Sequence, residues 1–381
     1  MADLRFGKVC IVAHGYMLYD GSRRSLGGIQ TYVEGLARLL LPHCREIVII
    51  QPSDVVFEIE DRLGVKVIGV GGFGRPVGSY YQKHLAGRCD LTVCTHLPWA
   101  RWCTGPRLIA VHHGIGWDGF DTVARGFGRW LRKVYFEHVY LSRNRRMHRR
   151  LILGVDRLIC VDLNFPNWLR ATYPTYNWEE VLRYVPNFGD PIEEAELENK
   201  LSRSDDRVNV LIARRFELIR GLPLMAQIVA EIYNSWPNAR FIFAGWGSQK
   251  KRMQEILQNK SRCEIVRLSP EEIGRANFEA DIAVVPTMWS EGTSLSCIEG
   301  MCAGAAVLST SIGGLGNIIL PDYNGLLVAP RHSDIKEGLS RLLGDVALRK
   351  RLARTGYESA RATFSREAWE RRIMQIIAEV A

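Results

Sequence analysis

Short runs of apolar and β-branched residues alternate with longer amphipathic stretches along the whole chain. Each short run has the composition of a buried β-strand. The longer stretches have a helical period: in GGIQTYVEGLARLL, which begins at Gly27, the apolar residues Val33, Leu36 and Leu40 fall on one face of a helix. Strands that alternate with helices are typical of parallel sheets covered by helices on both faces. The pattern therefore predicts an α/β protein.

The predicted strands fall into two series separated by a polar stretch. The first series is Val9–Ala13, Ile47–Gln51, Val65–Val70, Leu91–Thr95, Leu108–His112 and Leu158–Val161. The second series is Val208–Ala213, Arg240–Ala244, Ile265–Arg267, Ile282–Pro286, Ala306–Ser309 and Leu326–Val328. Residues 186–207, which contain prolines and many acidic residues, are interpreted as an interdomain linker. Two such series predict two doubly wound domains, and the amphipathic tail SREAWERRIMQIIAEV predicts one more helix.

The composition indicates a globular protein of the cytoplasm. The 381 residues, 47% of them hydrophobic and 24% charged, are enough for two domains with sizeable cores. No apolar run approaches the roughly 18–20 residues of a membrane span, and the first residues lack the features of a secretion signal. Nine cysteines without a Cys-x-x-Cys pair indicate reduced thiols. No cluster has metal-ligand spacing and no Asp-x-Asp is present, so we expect neither a metal nor a cofactor.

The net charge of +9 is concentrated in one segment, 125–150. This segment contains nine Arg or Lys residues and a single acid, Glu137, and therefore carries +8. Aromatic and aliphatic residues are interleaved with the basic ones, as in helices that bind anionic membrane surfaces. Nucleic acid would also fit the charge, but no nucleic-acid-binding motif supports it. The remaining alternative is a core-packed helix with a solvated basic face.

Ligands of doubly wound sheets bind outside the carboxyl ends of the strands, so the loops there are the candidate sites. Arg215 and Arg220 follow the first strand of the second series, and guanidinium groups suit phosphate oxygens. Gly28 opens the first long helix, whose backbone N–H groups favour an anion. His112 and His113 follow a strand of the first series. The alternatives are a solvated basic loop, a plain turn and histidines with a structural role.

Two carboxylates with seven residues between them stand in SEGTSLSCIEG, after a predicted strand. Glu291 lies in the loop, and Gly292, Thr293 and Ser294 offer backbone N–H groups where the next helix begins. Glu299 lies further along this helix among small and apolar residues, where a carboxylate is costly to bury without a partner. The two acids can bind pairs of vicinal hydroxyls, act as an acid/base pair, or be a helix cap and a surface glutamate.

This arrangement resembles the retaining glycosyltransferases with the GT-B fold, the large family of bacterial mannosyl- and glucosyltransferases and of sucrose synthase. Their pattern is a proline at a strand end, Glu-x7-Glu, a helix of small residues and a later Gly-Gly. The corresponding residues in this chain are Pro286, Glu291, Glu299, Ala303, Gly304, Gly313 and Gly314. The stretches RRFELIRG, GGIQTYV, HHGIGWD and YNGLLV are similar to further family motifs, so the resemblance covers nearly the whole chain.

For the second half, the resemblance implies a role for each residue of the Glu-x7-Glu stretch. Glu291 would bind hydroxyls of the donor sugar, and Glu299 would bind the ribose hydroxyls of the nucleotide. The backbone amides of Gly292, Thr293 and Ser294 would contact the sugar or the phosphate.

The other motifs receive roles by the same resemblance. Arg215 and Arg220 would neutralise the diphosphate, with help from the Gly28 amide. His113 would contact the donor sugar, and together with Glu291 it is an expected catalytic residue. One departure from the family is Arg214, which stands where the family usually has glycine.

The resemblance implies two Rossmann-like domains that face each other across a cleft. Residues 1–187, with the final helix 366–381 packed back on them, would form the acceptor-side domain, and residues 188–365 the donor-binding domain. We expect a metal-independent retaining hexosyltransferase that acts on a glycan or lipid-linked acceptor in surface polysaccharide biosynthesis. It would be cytoplasmic and peripheral on the inner face of the membrane. The alternatives are a sugar-nucleotide 2-epimerase and a non-catalytic protein that binds nucleotide sugars or anionic surfaces.

Overall fold

The structure is a computed structural model that describes residues 5–25, 27–115, 139, 141–203 and 207–381. These residues form two compact units, each with its own sheet. The first unit takes the described residues of 1–113 and 117–185 together with Glu370–Ala381, and the second takes those of 114–116 together with Pro186–Trp369.

The sheet of the first unit has eight strands in the order β3-β4-β2-β1-β5-β6-β7-β8. Every neighbouring pair is parallel except β3 and β4. The strands are β1 (Phe6–Val12), β2 (Cys44–Gln51), β3 (Ser53–Glu60), β4 (Lys66–Gly72), β5 (Leu91–Cys94), β6 (Leu108–His112), β7 (Arg157–Cys160) and β8 (Leu182–Tyr184). The α-helices among the described residues of this unit are α1 (Gly28–Leu40), α2 (Arg75–His84), α3 (Leu141–Ile152) and α4 (Asn164–Thr172).

The sheet of the second unit has six parallel strands in the order β11-β10-β9-β12-β13-β14. They are β9 (Val208–Ala213), β10 (Ala239–Ala244), β11 (Cys263–Val266), β12 (Ile282–Val285), β13 (Ala306–Thr310) and β14 (Leu326–Val328). The helices are α5 (Glu194–Ser202), α6 (Leu222–Ile232), α7 (Lys250–Ile256), α8 (Pro270–Glu279), α9 (Leu295–Cys302), α10 (His332–Gly344) and α11 (Val346–Thr363). The last helix, α12 (Arg366–Ala378), begins in this unit and supplies Glu370–Ala378 to the first.

Each face of the second sheet has its own apolar core, because successive residues of a strand point to opposite faces. Val210 and Ile212 of β9 lie in one core, and Leu211 between them lies in the other. Strand β12 divides in the same way, with Ile282 in the first core and Ala283 in the second. Burial on both faces explains why these strands are continuous apolar runs.

The two predicted parallel α/β domains are confirmed, and all twelve predicted strands are present. Strands β3 and β8 were not predicted. Strand β3 is an edge strand whose sequence SDVVFEIE alternates between exposed and less exposed positions, and β8 has only three residues. Neither has the apolar run of a central strand.

The interpretation of residues 186–207 as an interdomain linker is wrong, because this stretch contains helix α5 and belongs to the second unit. The helix begins with a capping box between Glu193 and Glu196. It buries Leu197, and buried Lys200 donates a hydrogen bond to the carbonyl of Ala303. A capping box and a few well-placed buried residues thus fold an acidic segment whose composition resembles a linker.

The chain ends in the first unit. Glu379 forms ion pairs with Arg157 (2.8 Å) and Arg183 (2.6 Å), and Arg107 donates hydrogen bonds to the carbonyls of Val380 and Ala381. No helix in the described part of the chain is long and apolar enough to cross a lipid bilayer.

Candidate active site in the second unit

The candidate site lies at the carboxyl edge of the second sheet. Parallel strands end at the same edge, so the loops after β9, β12 and β13 meet there. Arg214 directly follows β9, and Thr287 follows β12 after Pro286. Gly313 follows β13 by a short loop. Glu291, in the loop after β12, is contacted by residues of the other two loops.

Glu291 accepts hydrogen bonds from three side chains through the same carboxylate oxygen. Arg214 and Arg220 both form ion pairs with its Oε2, and the Thr287 hydroxyl donates to this atom at 3.1 Å. The cluster is largely shielded from solvent, since the side chains of Arg214, Glu291 and Arg220 are 8%, 11% and 18% exposed. Two guanidinium groups against one carboxylate leave a positive charge at this edge of the sheet.

Arg214 has more polar contacts at this cluster than the two arginines named from the sequence. Besides Glu291 it donates to the hydroxyls of Ser294 and Thr287, each at 2.8 Å. Arg215, in contrast, is exposed and lies outside this cluster of contacts. Arg220 is buried enough that desolvation lowers the pKa of its guanidinium, while Glu291 opposes the shift. Arg214 was not among the predicted site residues; its signals in the sequence were its place at a strand end and its departure from the glycine that the family usually has there.

Glycines hold the loops of this site close together. Gly313 has φ of 54°, and a Cβ there would lie 2.2 Å from the carbonyl oxygen of Glu291. The next amide, of Gly314, donates to that same oxygen at 2.8 Å. Gly221 has φ of 72°, and a Cβ there would lie 1.8 Å from the carbonyl oxygen of Pro286. The Gly-Gly pair thus fixes the backbone of the loop that carries Glu291.

Helix α9 starts beside this cluster. Ser294 is its N-cap residue, and Thr293 and Ser294 are both buried. The carbonyl of Thr293 accepts a hydrogen bond from the Asn187 side chain at 2.7 Å, and the Ser296 hydroxyl donates to the carbonyl of Ala213 at 2.8 Å. The backbone of Gly292, Thr293 and Ser294 is therefore held at a helix N-terminus, where the helix dipole favours negative charge.

Glu299 lies on α9 beside Ile298 of the second core and is itself partly buried. Burial raises the pKa of its carboxyl, Arg214 lowers it, and Asp190 adds to the increase. Among the described residues, none donates a hydrogen bond to its carboxylate. A carboxylate in this position is costly for the protein unless a donor from outside the chain satisfies it.

The residues predicted from the first half lie in the first unit. Gly28 is the first residue of α1 and is exposed. His113 follows β6, its ring lies edge-on to Tyr32 with centroids 5.1 Å apart, and its buried Nε2 has no hydrogen-bond partner in the described structure. Burial lowers the pKa of His113 to about 4 and that of His96, which follows β5, to about 3. These imidazoles are neutral at physiological pH.

Two further predictions concern metals and the basic segment. Within the described ranges, no group of three or more His, Cys, Asp or Glu side chains has the arrangement of a metal site. Most of the segment 125–150, including Arg129, Arg132 and Lys133, lies outside the described residues. Its described end belongs to α3, where Arg143, Arg145 and Arg146 are exposed.

Comparison with known proteins decides the family. Residues 193–359, all within the second unit, match the family model of Glycosyl transferases group 1. The second unit belongs to the group 1 glycosyltransferases.

Curated relatives of this family match the chain at low identity. An uncharacterized glycosyltransferase of Methanocaldococcus jannaschii is 30% identical over 162 residues, which are 41% of this chain and 43% of the archaeal protein. One subunit of the human phosphatidylinositol N-acetylglucosaminyltransferase is 20% identical over 345 residues, 86% of this chain and 68% of the human protein. The chain thus spans less than half the length of the archaeal relative.

Solved structures extend the likeness to the whole chain. Sucrose-phosphate synthase of Thermosynechococcus elongatus has a TM-score of 0.73 at 17% sequence identity. The superposition covers 98% of this chain and 99% of the synthase chain. The Anabaena protein HepE, solved in complex with UDP, has a TM-score of 0.71 at 13% sequence identity. The superposition covers 98% of this chain and 100% of the HepE chain. At these identities the likeness concerns the fold alone, and the GT-B fold expected for a group 1 glycosyltransferase is confirmed.

Proposed function

We propose that this group 1 glycosyltransferase is a retaining hexosyltransferase. It moves a hexose from a nucleoside-diphosphate sugar to a glycan or lipid-linked acceptor. The observation that carries the proposal is the cluster at the carboxyl edge of the second sheet, where Arg214, Arg220 and the start of α9 surround Glu291. This edge is where doubly wound sheets bind nucleotides, and the fold is shared with a protein solved with UDP.

The diphosphate of the donor is held by cations and backbone amides of the protein. Arg220 and Arg215 neutralise it, and the amides at the start of α9 add hydrogen bonds. When the diphosphate binds, its oxygens compete with Glu291 for Arg220, which frees Glu291 to accept hydrogen bonds from sugar hydroxyls. Glu299 accepts hydrogen bonds from the two ribose hydroxyls, which satisfies its partly buried carboxylate. Because these charges are preorganised, the leaving group needs no metal ion.

The reaction takes place on one face of the sugar. The bond between the anomeric carbon and the diphosphate oxygen breaks, its electron pair stays on the nucleoside diphosphate, and the sugar becomes oxocarbenium-like. The acceptor hydroxyl attacks from the face that the diphosphate leaves, and its proton passes to the departing phosphate oxygen. Glu291 serves poorly as a nucleophile because two guanidinium groups bind its carboxylate. Neutral His113 contacts the donor sugar.

The acceptor belongs to a surface polysaccharide pathway and binds to the first unit. Support comes from relatives such as the lipopolysaccharide 1,2-N-acetylglucosaminetransferase of Salmonella typhimurium, 25% identical over 46% of this chain. The basic segment 125–150, at +8, holds the protein to the anionic inner face of the cytoplasmic membrane. The exposed arginines Arg145 and Arg146 of α3 fit this role.

Transfer of label from nucleotide sugars to a lipid fraction tests the proposed activity. Wild type should transfer label, and Glu291→Gln should lose the transfer. Glu264→Gln, which removes an acid of β11 paired with Arg240 at the protein surface, is the matched control and should keep it. Conversion of the free donor to its epimer without acceptor would identify an epimerase instead. Donor binding without either reaction would identify a non-catalytic binding protein.

Sedimentation with vesicles tests the membrane role separately. Wild type should sediment with anionic but not with zwitterionic vesicles. Reversal of Arg129, Arg132, Lys133 and Arg143 to glutamate should release it, because each basic residue near an anionic surface contributes about 1 kcal/mol. Transfer to a short soluble acceptor should persist in this variant. Equal sedimentation of both proteins would contradict the membrane role and leave the transfer activity untouched.

A further inference from the structure

An exposed tryptophan lies at the carboxyl edge of the second sheet, in the loop next to the one that carries Arg214. Trp246 stands just after β10 and is 49% exposed. Strands β9 and β10 pair in parallel, with Ala213 beside Ala244 at the last position of each strand. Two residues beyond these strand ends, Arg215 and Trp246 are therefore counterparts in neighbouring loops. Arg215 has a proposed role in donor binding, and Trp246 has none.

The loop that carries Trp246 is fixed to the loop after β9 through its backbone. The amide of Phe216 donates to the carbonyl of Trp246 at 2.7 Å. A Cβ at Gly245 would lie 2.0 Å from the carbonyl oxygen of Arg214, and one at Gly247 would lie 2.5 Å from that of Phe216. Because glycine occupies both positions, the two loops pack backbone against backbone. The backbone of Trp246 is thus held next to the arginines of the candidate active site.

Cations stand on the loops to either side of Trp246. Arg267, which directly follows β11, places its guanidinium carbon 5.9 Å from the centroid of the Trp246 ring. Arg215 and Arg267 are both exposed. The carboxylate of Glu217 also lies in this region and is engaged by Ser248, whose amide and hydroxyl donate to it at 3.2 and 2.8 Å. An exposed aromatic ring among cations suits a flat ring system that belongs to an anion.

The position of Trp246 relative to Glu291 matches the length of a nucleoside diphosphate. The sheet order β10-β9-β12 places the two residues in loops two strands apart, about 10 Å at roughly 4.8 Å per strand. Ala244, at the end of β10, lies in the same apolar core as Ile298, which precedes Glu299 on α9. The end of β10 and the helix that carries Glu299 therefore lie on one face of the sheet.

We propose that Trp246 is the platform on which the base of the donor nucleotide stacks. The inference rests on the proposed glycosyl transfer and extends its donor site by one residue. The diphosphate lies at the arginines, the ribose at Glu299, and the base on the indole of Trp246. Every nucleobase has a π-face, so stacking on an aromatic side chain adds affinity whichever base the donor carries.

Two variants of Trp246 separate stacking from the loss of apolar bulk. Trp246→Phe and Trp246→Leu both introduce a smaller apolar side chain, but only phenylalanine keeps an aromatic face. Tyr323→Ala is the control for the loss of an exposed ring, because Tyr323 is 56% exposed and precedes β14 at the opposite edge of the same sheet. Since these side chains are exposed, all three variants should keep the unfolding midpoint of wild type within about two degrees.

Titration calorimetry with UDP, GDP, ADP and TDP, and with inorganic pyrophosphate, tests the proposal. For the nucleotide that wild type binds most tightly, Tyr323→Ala should bind within about twofold of wild type and Trp246→Phe within about threefold. Trp246→Leu should bind about tenfold more weakly, as expected for the loss of a stack between a base and an aromatic ring. Pyrophosphate, which has no base, should bind equally to Trp246→Leu and to wild type.

Three results would overturn the proposal and leave the proposed glycosyl transfer intact. Unchanged nucleotide binding in Trp246→Leu would remove Trp246 from the donor site. Equal weakening by phenylalanine and leucine would contradict stacking. Weakening of pyrophosphate as strong as that of the nucleotide would mean that Trp246 supports the diphosphate loop instead. If wild type binds none of the four nucleotides, the proposed function fails, and the role of Trp246 fails with it.

Discussion

The carboxyl edges of the two sheets carry different chemistry. In the first unit the loops after β1, β5 and β6 carry His14, His96 and His113, and burial lowers the pKa of all three. In the second unit the corresponding edge carries Arg214, Arg220 and Glu291 in one network of ion pairs. The three imidazoles at one edge are thus neutral at physiological pH, whereas the three side chains at the other edge form ion pairs.

The difference indicates what each edge is able to bind. Neutral imidazoles and aromatic rings suit a hydroxyl-rich molecule without charge, which they contact by hydrogen bonds and by ring faces. A net positive cluster beside a helix N-terminus suits a diphosphate. The same doubly wound architecture therefore supports two ligand chemistries, and the residues just after the strands decide between them.

Among the arginines of the charged edge, the largest effect is expected at Arg220. Arg220→Gln removes a largely buried cation from the cluster around Glu291, and loss of one preorganised charge-stabilising donor costs about 10²–10³ in turnover. We expect kcat for glycosyl transfer to fall about a hundredfold. Arg240→Gln, on the exposed pair with Glu264, is the control and should leave kcat unchanged. Equal rates in Arg220→Gln and wild type would contradict a role of the charged edge in glycosyl transfer.

Glu299→Ala should weaken nucleoside-diphosphate binding by about tenfold or more. The ribose hydroxyls lose a charged acceptor, and a hydrogen bond to a charged group is worth roughly 1.5–3 kcal/mol. Calorimetry measures the dissociation constant of the nucleoside diphosphate for wild type and for Glu299→Ala. An unchanged constant would rule out ribose binding by Glu299.

Arg214 and Arg215 should behave differently although they are neighbours. Arg214→Gln removes the guanidinium that binds Glu291 and the hydroxyls of Ser294 and Thr287 inside a shielded cluster. We therefore expect this substitution to lower the thermal unfolding midpoint by several degrees. Arg215→Gln removes an exposed side chain and should leave the midpoint within about one degree while weakening donor binding. Reversed effects would mean that Arg215 supports the fold and that Arg214 alone binds the diphosphate.

The two edges should respond to pH with opposite signs. The folded protein keeps His113 neutral down to about pH 4, whereas an ordinary histidine takes up a proton near 6.5. This group's contribution to stability is therefore present above pH 6.5 and is lost as the pH falls towards 4. The pKa of Glu299 is raised above 4.5, so its contribution is present below pH 4.5 and is lost as the pH rises.

Thermal unfolding of two conservative variants separates these contributions. His113→Asn should be less sensitive than wild type to acidification from pH 7 to pH 5, by a few degrees. Glu299→Gln should unfold a few degrees above wild type at pH 7, and the difference should vanish near pH 4. Parallel curves for wild type and variants at every pH would contradict the burial of both groups.

Much of this architecture could be predicted from the sequence, because central parallel strands are buried on both faces and appear as apolar runs. Strand β3 could not be predicted in this way, since it lies at an edge and its residues alternate. Helix α5 was not predicted because its acidic composition is also typical of a linker. Its position depends on contacts of Leu197 and Lys200 with distant parts of the chain.

The candidate site shows the same limit. The spacing of Glu291 and Glu299 was informative because the loop and the helix that carry them are local structures. The sequence did not show which of Arg214 and Arg215 belongs to the cluster. That depends on which side chain points towards a loop more than seventy residues away in the chain. Thr287 gave no signal in the sequence, and its contacts with Glu291 and Arg214 follow from the pairing of β9 with β12.

The central claim is that the carboxyl edge of the second sheet binds a nucleoside diphosphate through the protein's own charges. Calorimetric titration of wild type with UDP, GDP, ADP and TDP in the presence of EDTA tests it most directly. We expect saturable binding of at least one of them, unchanged when magnesium or manganese replaces EDTA, and at least tenfold weaker in Arg220→Gln. Binding that appears only with the metal, or that survives in full in Arg220→Gln, would contradict the account.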